Sequence, residues 1–341
     1  VGSEMCIRDS IYLKYQMIKK YKVGVLGCAH IAIRSLLPAF SSSERFELAG
    51  IASRDFHKAQ LVAAPYHCVA YGSYEELLDN EDIELVYIPL PTGLHYEWIH
   101  KALEKGKHVM SEKSLSCTYD EVRELVELAC DKHLLLIENF QFRFHSQHVW
   151  VKELLERHEL GDLRCFRCSF GFPPFEDRNN IRYSKSLGGG SLLDAGAYTL
   201  KAMQFILPDY SFSLRSASLY QPSDMEVDLY GGAYLDSPQG VIAELAFGFD
   251  NYYQCGYEIW GSLGKLTTTR AFTAPAGFTP KVILEKHGRC EEILLPADDH
   301  FSNMLAHIAH SLDIGEFSGE YIQNLNQSRY IGQIKEYCYG K

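Results

Sequence analysis

The stretch VGVLGCAHIAIRSLLPAF, residues 23–40, constrains the fold of this chain more than any other. Val23, Val25 and Leu26 form an apolar run of strand length, Gly27 offers a turn, and Ile31, Leu36 and Leu37 recur at helical spacing. A strand that passes through a glycine turn directly into a helix exposes backbone N–H groups at the helix N-terminus, where phosphate is stabilised. Gly27 supplies the tight turn of a dinucleotide fingerprint. At Ala29 a methyl stands where a second glycine would admit a pyrophosphate, and Ala32 is small enough for close helix–strand packing. On its own the stretch also fits an ordinary strand–helix turn.

The alternation continues downstream. FELAGIAS, ELVYIPLP, KHVMSE and LLLIENF read as strands. Helices are predicted from near Phe56, around HYEWIHKALEKG and over YDEVRELVELACDKH. Within the last of these, Tyr119, Val122, Leu125, Val126 and Ala129 share one face, with Glu121, Glu124 and Glu127 mostly on the other. Apolar strands between amphipathic helices predict a parallel sheet covered on both faces. After about Phe142 the character changes. A helix over HVWVKELLERH, a strand over 163–172, a Pro-rich loop and a helix over 191–206 lead into strand-like runs in series. These are FSLRSASLY, VDLYGGAYL, GVIAELAFGF, YYQCGYEIWG and GKLTTTRAF. Short turns between strands predict an antiparallel sheet, and two helices, 298–313 and 319–338, close the chain.

The second strand bears on which dinucleotide fits. NAD-binding sheets place an acidic residue at its end to hold the ribose hydroxyls. Here LAGIASRD ends in Ser53 and Arg54, and a hydroxyl with a guanidinium suits a ribose 2′-phosphate. The formal charge of −11 argues against nucleic acid as the main partner, and no apolar run reaches membrane-spanning length. Ten cysteines without a secretory signal fit a reduced, cytoplasmic protein. CFRC, Cys165 to Cys168, has metal-pair spacing but lies in a strand, so its thiols should face opposite sides and serve packing. HIAH, His307 and His310, reads as packing rather than metal ligation. The aromatic run DNYYQCGYEIW reads as a sheet face or subunit interface. Residues 1–16 read as a leader or sequencing scar, with Met17 as the natural start.

Four stretches appear in the order found in the Gfo/Idh/MocA oxidoreductases: VGVLGCAHIAIRSLLPA, YIPLPTGLHYEWIHKALEKGKHVMSEKSL, ENFQFRFHSQ and LGGGSLLDAGAY. The chain resembles that family over nearly everything after Met17. Within it, the glycine–cysteine–alanine turn, the loop FGFPPFEDRNNIRY and GGGSLLDAGAY look most like ketoreductases of nucleotide-linked deoxysugars. The resemblance implies an α/β Rossmann domain, 17–141, that binds NADP(H), with NAD(H) the lesser candidate and no metal. A substrate-binding and oligomerisation domain, 142–341, would follow, of α+β class with a large, open, mostly antiparallel sheet through which a homodimer or homotetramer forms.

Residue by residue, the resemblance implies roles. Gly27, Ala29, His30 and Ile31 would lie along the pyrophosphate, with Cys28 a small buried turn residue, and Ser53 and Arg54 would meet the ribose phosphate. Pro91, Thr92 and His95 would line the nicotinamide side. Glu112 and Lys113 match the family's Glu-Lys-Pro motif, Lys113 lying near the nicotinamide and the reacting carbon. Ser114 replaces the proline, which would leave the loop less rigid. Asp194 and Tyr198 match the aspartate and the His-or-Tyr of the second-domain motif, four apart on one helix face. In that reading Tyr198 donates the proton, Lys113 lowers its pKa and stabilises the oxyanion, and Asp194 orients the substrate. Arg143 and Arg182 are candidates for a substrate diphosphate, ahead of Arg178 and Lys185. The expected function is NADPH-dependent reduction of a nucleotide-linked keto sugar. The alternatives are oxidation of a free sugar, polyol or dihydrodiol, and a non-catalytic cofactor-binding regulator or scaffold.

Overall fold

The computed structural model describes residues 19–340, so the segment 1–16 and Met17 lie outside the described residues. The first sheet has the order β3-β2-β1-β4-β5-β6. Its strands are β1 (Tyr21–Leu26), β2 (Phe46–Ala52), β3 (Val69–Tyr71), β4 (Leu85–Ile88), β5 (His108–Glu112) and β6 (Leu136–Asn139). All five pairings are parallel. Five helices cover its faces: α1 (Leu37–Ser42, entered through a wide π-type turn, Ala32–Leu36), α2 (Phe56–Ala63), α3 (Tyr74–Leu78), α4 (Thr92–Glu104) and α5 (Tyr119–Asp131). The strand centres are largely apolar because both faces are covered, as in β4, where all four residues are buried. Strand order reverses between β1 and β4, which opens a crevice at the carboxyl ends of the strands. The sequence reading lacks β3 and α3: one is three residues long, the other a short helix capped by Ser73.

The second sheet has the order β14-β13-β12-β11-β7-β10-β9-β8. Helix α6 (Ser146–Glu156) precedes β7 (Leu163–Gly171), and α7 (Ala197–Ile206) follows a second π-type turn, Leu192–Gly196. Then come β8 (Ser213–Tyr220), β9 (Tyr230–Asp236), β10 (Ile242–Gly248), β11 (Gln254–Gly261), β12 (Gly264–Thr268), β13 (Lys281–Lys286) and β14 (Arg289–Leu294). All pairings are antiparallel except β7 with β10. A parallel pair needs a long crossover, and the loop, α7 and the β8–β9 hairpin supply it. The β13–β14 hairpin is missing from the sequence reading. Its turn is made by His287 and Gly288, both with positive φ, a geometry more often signalled by Asn-Gly.

Helix α7 packs on the inner face of this sheet. On the outer face Tyr220 stacks on Tyr230 with ring centroids 4.7 Å apart, and the Arg167 guanidinium sits 3.9 Å over Trp260. Tyr220, Tyr230, Tyr234 and Trp260 are exposed. Cys165 and Cys168 are free and buried, and burial raises both thiols in pKa; Cys168 belongs to the core under α7. Among the described residues no cluster of three or more His, Cys, Asp or Glu is placed to hold a metal, and no helix is long and apolar enough to cross a membrane.

The chain ends in α8 (His300–Ile314) and α9 (Ser318–Tyr339). Helix α8 returns to the first domain, where Met304, Leu305, Ile308 and Ala309 pack with Val23, Phe40 and Leu48. Asp313 accepts hydrogen bonds from the Tyr21 hydroxyl at 2.9 Å and Arg45 Nη2 at 2.7 Å. Helix α9 buries a largely polar face because it bridges the two domains. Asn324 Nδ2 donates to the Leu136 carbonyl of β6 and Gln327 Nε2 to the Ala197 carbonyl of α7, each at 2.8 Å. Of the two histidines expected to serve packing, His307 does, its ring centred 5.1 Å from that of Phe144 while Nε2 meets Glu320 Oε1 at 3.2 Å; for His310, which is exposed, the expectation is corrected.

Candidate active site

A cleft of about 600 Å³ lies between the carboxyl ends of the first sheet and the start of α7. One wall is the glycine turn, Ala29, His30 and Ile31, with Arg34 one helical turn further on. Pro91 and Thr92 at the start of α4 form the floor beside Glu112 and Lys113, while Arg182, Asp194 and Tyr198 face them from the second domain. Gly27 has φ +118°, and a Cβ there would come 2.9 Å from Leu90 Cδ2, so only glycine fits the turn. Its N–H donates to the Ala52 carbonyl at 2.9 Å, which sets Ser53 and Arg54 beside the turn rather than in the cleft itself. Ser53 is buried, with its Oγ accepting from Asp55 N at 3.2 Å, and Arg54 is exposed beside the Tyr74 hydroxyl. Cys28 is buried, and burial raises its thiol pKa, which makes it a poor nucleophile.

The charged centre is Asp194. Lys113 Nζ donates to its Oδ1 at 2.5 Å and to its backbone carbonyl at 3.1 Å, and Arg182 Nε donates to its Oδ2 at 2.6 Å. Burial would raise the Asp194 carboxyl, but the two cations overrule it and hold its pKa at about 2. Tyr198 sits in an aromatic nest, with the rings of Phe170 and Phe140 centred 5.0 and 5.2 Å away. Its pKa is raised, first by burial and then by the Glu112 carboxylate. Lys113 Nζ, engaged with Asp194, lies 5.3 Å from the Tyr198 ring centroid. The expectation that Lys113 acidifies Tyr198 is therefore corrected, since the phenol is a more firmly protonated group than in water. Glu112 is itself raised by burial, against hydrogen bonds from the Tyr87 hydroxyl at 2.8 Å and Asn139 Nδ2 at 2.6 Å.

Three further expectations fail. His95 does not line the cleft: it is fully buried, with Nδ1 2.7 Å from the Ser114 carbonyl and Nε2 2.7 Å from the Leu90 carbonyl. Burial pushes its pKa down to about 4, against the pull of those carbonyls. Its place is behind the loops, tying the segment after β4 to the segment after Lys113. The same contact corrects the reading of Ser114, which is buried and also donates from Oγ to the Leu193 carbonyl at 3.3 Å; the loop is held without a proline. Arg143 does not reach the cleft either. It is buried against α9, with Nη2 3.1 Å from Glu320 Oε2 and Nη1 on Gln323 Oε1. A guanidinium committed to a buried carboxylate is not free for phosphate.

Behind the cleft, Glu138 of β6 accepts from the backbone N–H of Leu115 at 3.2 Å and lies 3.5 Å from Lys201 Nζ, one turn beyond Tyr198 on α7. This buried pair ties the loop carrying Lys113 to the helix carrying Tyr198. The triple glycine has a steric reason. Side chains at Gly188 or Gly189 would overlap Thr92 and Gly93 or the Arg182 carbonyl, so the strap 185–189 lies flat across the start of α4. Sequence reasoning missed Arg34, Gln141, Phe170 and Phe172 as cleft residues. Of these only Arg34 left a signal, four residues after His30 and hence on the same helical face.

Against protein-family models, residues 21–140 match the oxidoreductase family with the NAD-binding Rossmann fold, and residues 148–267 match the Gfo/Idh/MocA C-terminal domain. A dTDP-3,4-didehydro-2,6-dideoxy-alpha-D-glucose 3-reductase of Saccharopolyspora spinosa is 42% identical over 88% of this chain and 90% of its own. The enzyme of the same name from Streptomyces violaceoruber is 36% identical over 94% and 96%. Among solved structures, a 3-ketoreductase from Actinomadura kijaniata in complex with NADP and TDP-benzene superposes with a TM-score of 0.90. It is 36% identical, covering 94% of this chain and 98% of that one. With both domains matched in order and relatives aligned over most of its length, the chain belongs to the Gfo/Idh/MocA family of oxidoreductases.

Proposed function

We propose that this oxidoreductase uses NADPH to reduce a keto group on a nucleotide-linked deoxysugar. The observation that carries the reading is the convergence of Lys113, Asp194 and Tyr198 on the same cleft as the glycine turn. The residues present suit the dinucleotide: Gly27, Ala29, His30 and Ile31 would hold the pyrophosphate, Pro91, Thr92 and Glu112 the nicotinamide end, and Ser53 and Arg54 a ribose 2′-phosphate. When bound, the cofactor supplies a hydride to the carbonyl carbon. Tyr198 then delivers its phenolic proton to the oxygen as charge develops there. Lys113, with two of its three N–H bonds on Asp194, has one left for that oxygen. Asp194 orients the ammonium and anchors Arg182 toward the substrate.

The relatives named above support a dTDP-linked substrate. The test is NADPH oxidation with a dTDP-linked 3-keto deoxysugar beside the matching free sugar, with a dihydrodiol and NADP+ as a further arm. Turnover of the nucleotide-linked ketone is expected; preference for the free sugar or the diol would overturn the reading, and binding of NADPH without any turnover would revive the scaffold alternative.

Cofactor choice rests on Arg54. Arg54→Glu is expected to weaken NADPH binding by about 10–100-fold, the loss of a charge-assisted contact, with little change for NADH. Equal wild-type affinity for the two cofactors would show that Arg54 reads no phosphate. The division into a cofactor-binding unit, 17–141, and a substrate-binding and oligomerisation unit, 142–341, belongs to the same proposal. The exposed Tyr220, Tyr230, Tyr234 and Trp260 support pairing of copies through the outer sheet face. Light scattering at micromolar concentration is expected to give a dimer or tetramer, and a monomer would contradict it.

A further inference from the structure

Three cations line the cleft, and their partners differ. Lys113 and Arg182 both serve Asp194, and of the Arg182 guanidinium only Nε is used, its Cζ lying 4.7 Å from the Phe175 ring centroid. The two terminal nitrogens of Arg182 carry no hydrogen bond among the described residues. Arg34 lies on the opposite wall, exposed, and its side chain makes neither an ion pair nor a hydrogen bond among the described residues. It falls within the wide π-type turn Ala32–Leu36 that opens α1, a distortion that recurs at functional sites. A chain of net charge −11 thus keeps an uncompensated guanidinium on one wall of this cleft and a half-free one on the other. Two planar forks facing a common space match the oxygens of a diphosphate better than those of a neutral sugar.

We propose that Arg34 and Arg182 clamp the diphosphate of the substrate from opposite walls, with Arg34 in the role expected of Arg143. The clamp rests on the reading of the substrate as nucleotide-linked. It presents the sugar to Lys113 and Tyr198 by holding the part of the molecule that does not react, so remote binding energy positions the carbonyl. A free sugar has nothing for the clamp to hold.

The test is a titration of dTDP, which carries the diphosphate without the reacting sugar, into NADPH-loaded protein. Wild type is compared with Arg34→Gln and Arg34→Lys, and NADPH affinity is measured in parallel. Arg34→Gln is expected to weaken dTDP by about 10–100-fold, as for a lost charge-assisted pair. Arg34→Lys should weaken it less, and NADPH affinity should hold in both. In turnover the loss appears in KM for the nucleotide-linked sugar more than in kcat. Weakened NADPH with unchanged dTDP would assign Arg34 to the cofactor and overturn the clamp, as would unchanged affinity for both. Wild-type protein that turns over a free keto sugar and has no affinity for dTDP would instead bring down the nucleotide-linked reading, and the clamp with it.

Discussion

Tyr198→Phe is expected to lower single-turnover reduction by about 10²–10⁴-fold, the usual worth of a positioned general acid, while NADPH binding stays intact. The substitution is a clean one here. The ring is held by Phe140, Phe170 and Phe272, and phenylalanine keeps all of those contacts while removing only the hydroxyl. Burial and the Glu112 carboxylate raise the phenol's pKa, so the protonated form persists to higher pH than that of a free tyrosine. The wild-type reduction rate should therefore show no alkaline limb from this group below about pH 10, the ordinary tyrosine value. A variant with near-normal single-turnover rate would move the proton to the Lys113 ammonium or a bound water.

Lys113→Ala should be at least as damaging, with a loss of about 10²–10⁴-fold in kcat from the combined removal of oxyanion stabilisation and of the group that organises Asp194. Two cations hold the Asp194 carboxyl at about 2. With Lys113 gone, one remains, and the carboxylate left in a buried site repels the developing alkoxide. Lys113→Met, which keeps most of the side-chain volume, separates this loss from a simple packing defect. Combined with Tyr198→Phe, the effects should fall short of multiplying, because both groups serve one oxygen. A Lys113→Met enzyme with ordinary kcat would show that the ammonium does not meet the alkoxide.

The parts of the fold legible in the sequence are those with a local cause. The first sheet announces itself through apolar strands and amphipathic helices, and α5 has the buried face, Val122, Leu125, Val126 and Ala129, that its spacing predicts. The β7–β10 pairing is not legible, because the partners are over seventy residues apart and neither strand carries a mark of the other. The same holds at the site. Arg143 looks like a free loop cation until Glu320, 177 positions away, is placed against it. His95 has backbone carbonyls as partners, which no side-chain motif encodes. Lys113 and Asp194, 81 residues apart, are linked in the sequence only through the family resemblance. Arg34 is marked only by its spacing to His30, and a solvated arginine on a helix is too ordinary for that spacing to single it out.

The return of α8 to the first domain bears on how the chain is made. Residues 21–139 leave the ribosome with all six parallel strands, yet the apolar surface of Val23, Phe40 and Leu48 is covered by Met304, Leu305, Ile308 and Ala309. Those residues are synthesised some 160 positions later. Throughout that interval the nascent nucleotide-binding half keeps an uncovered apolar face, a point at which chaperones and aggregation compete for the chain. The large sheet of the second domain is therefore synthesised before the first domain is closed, and the last forty residues complete the cores of both.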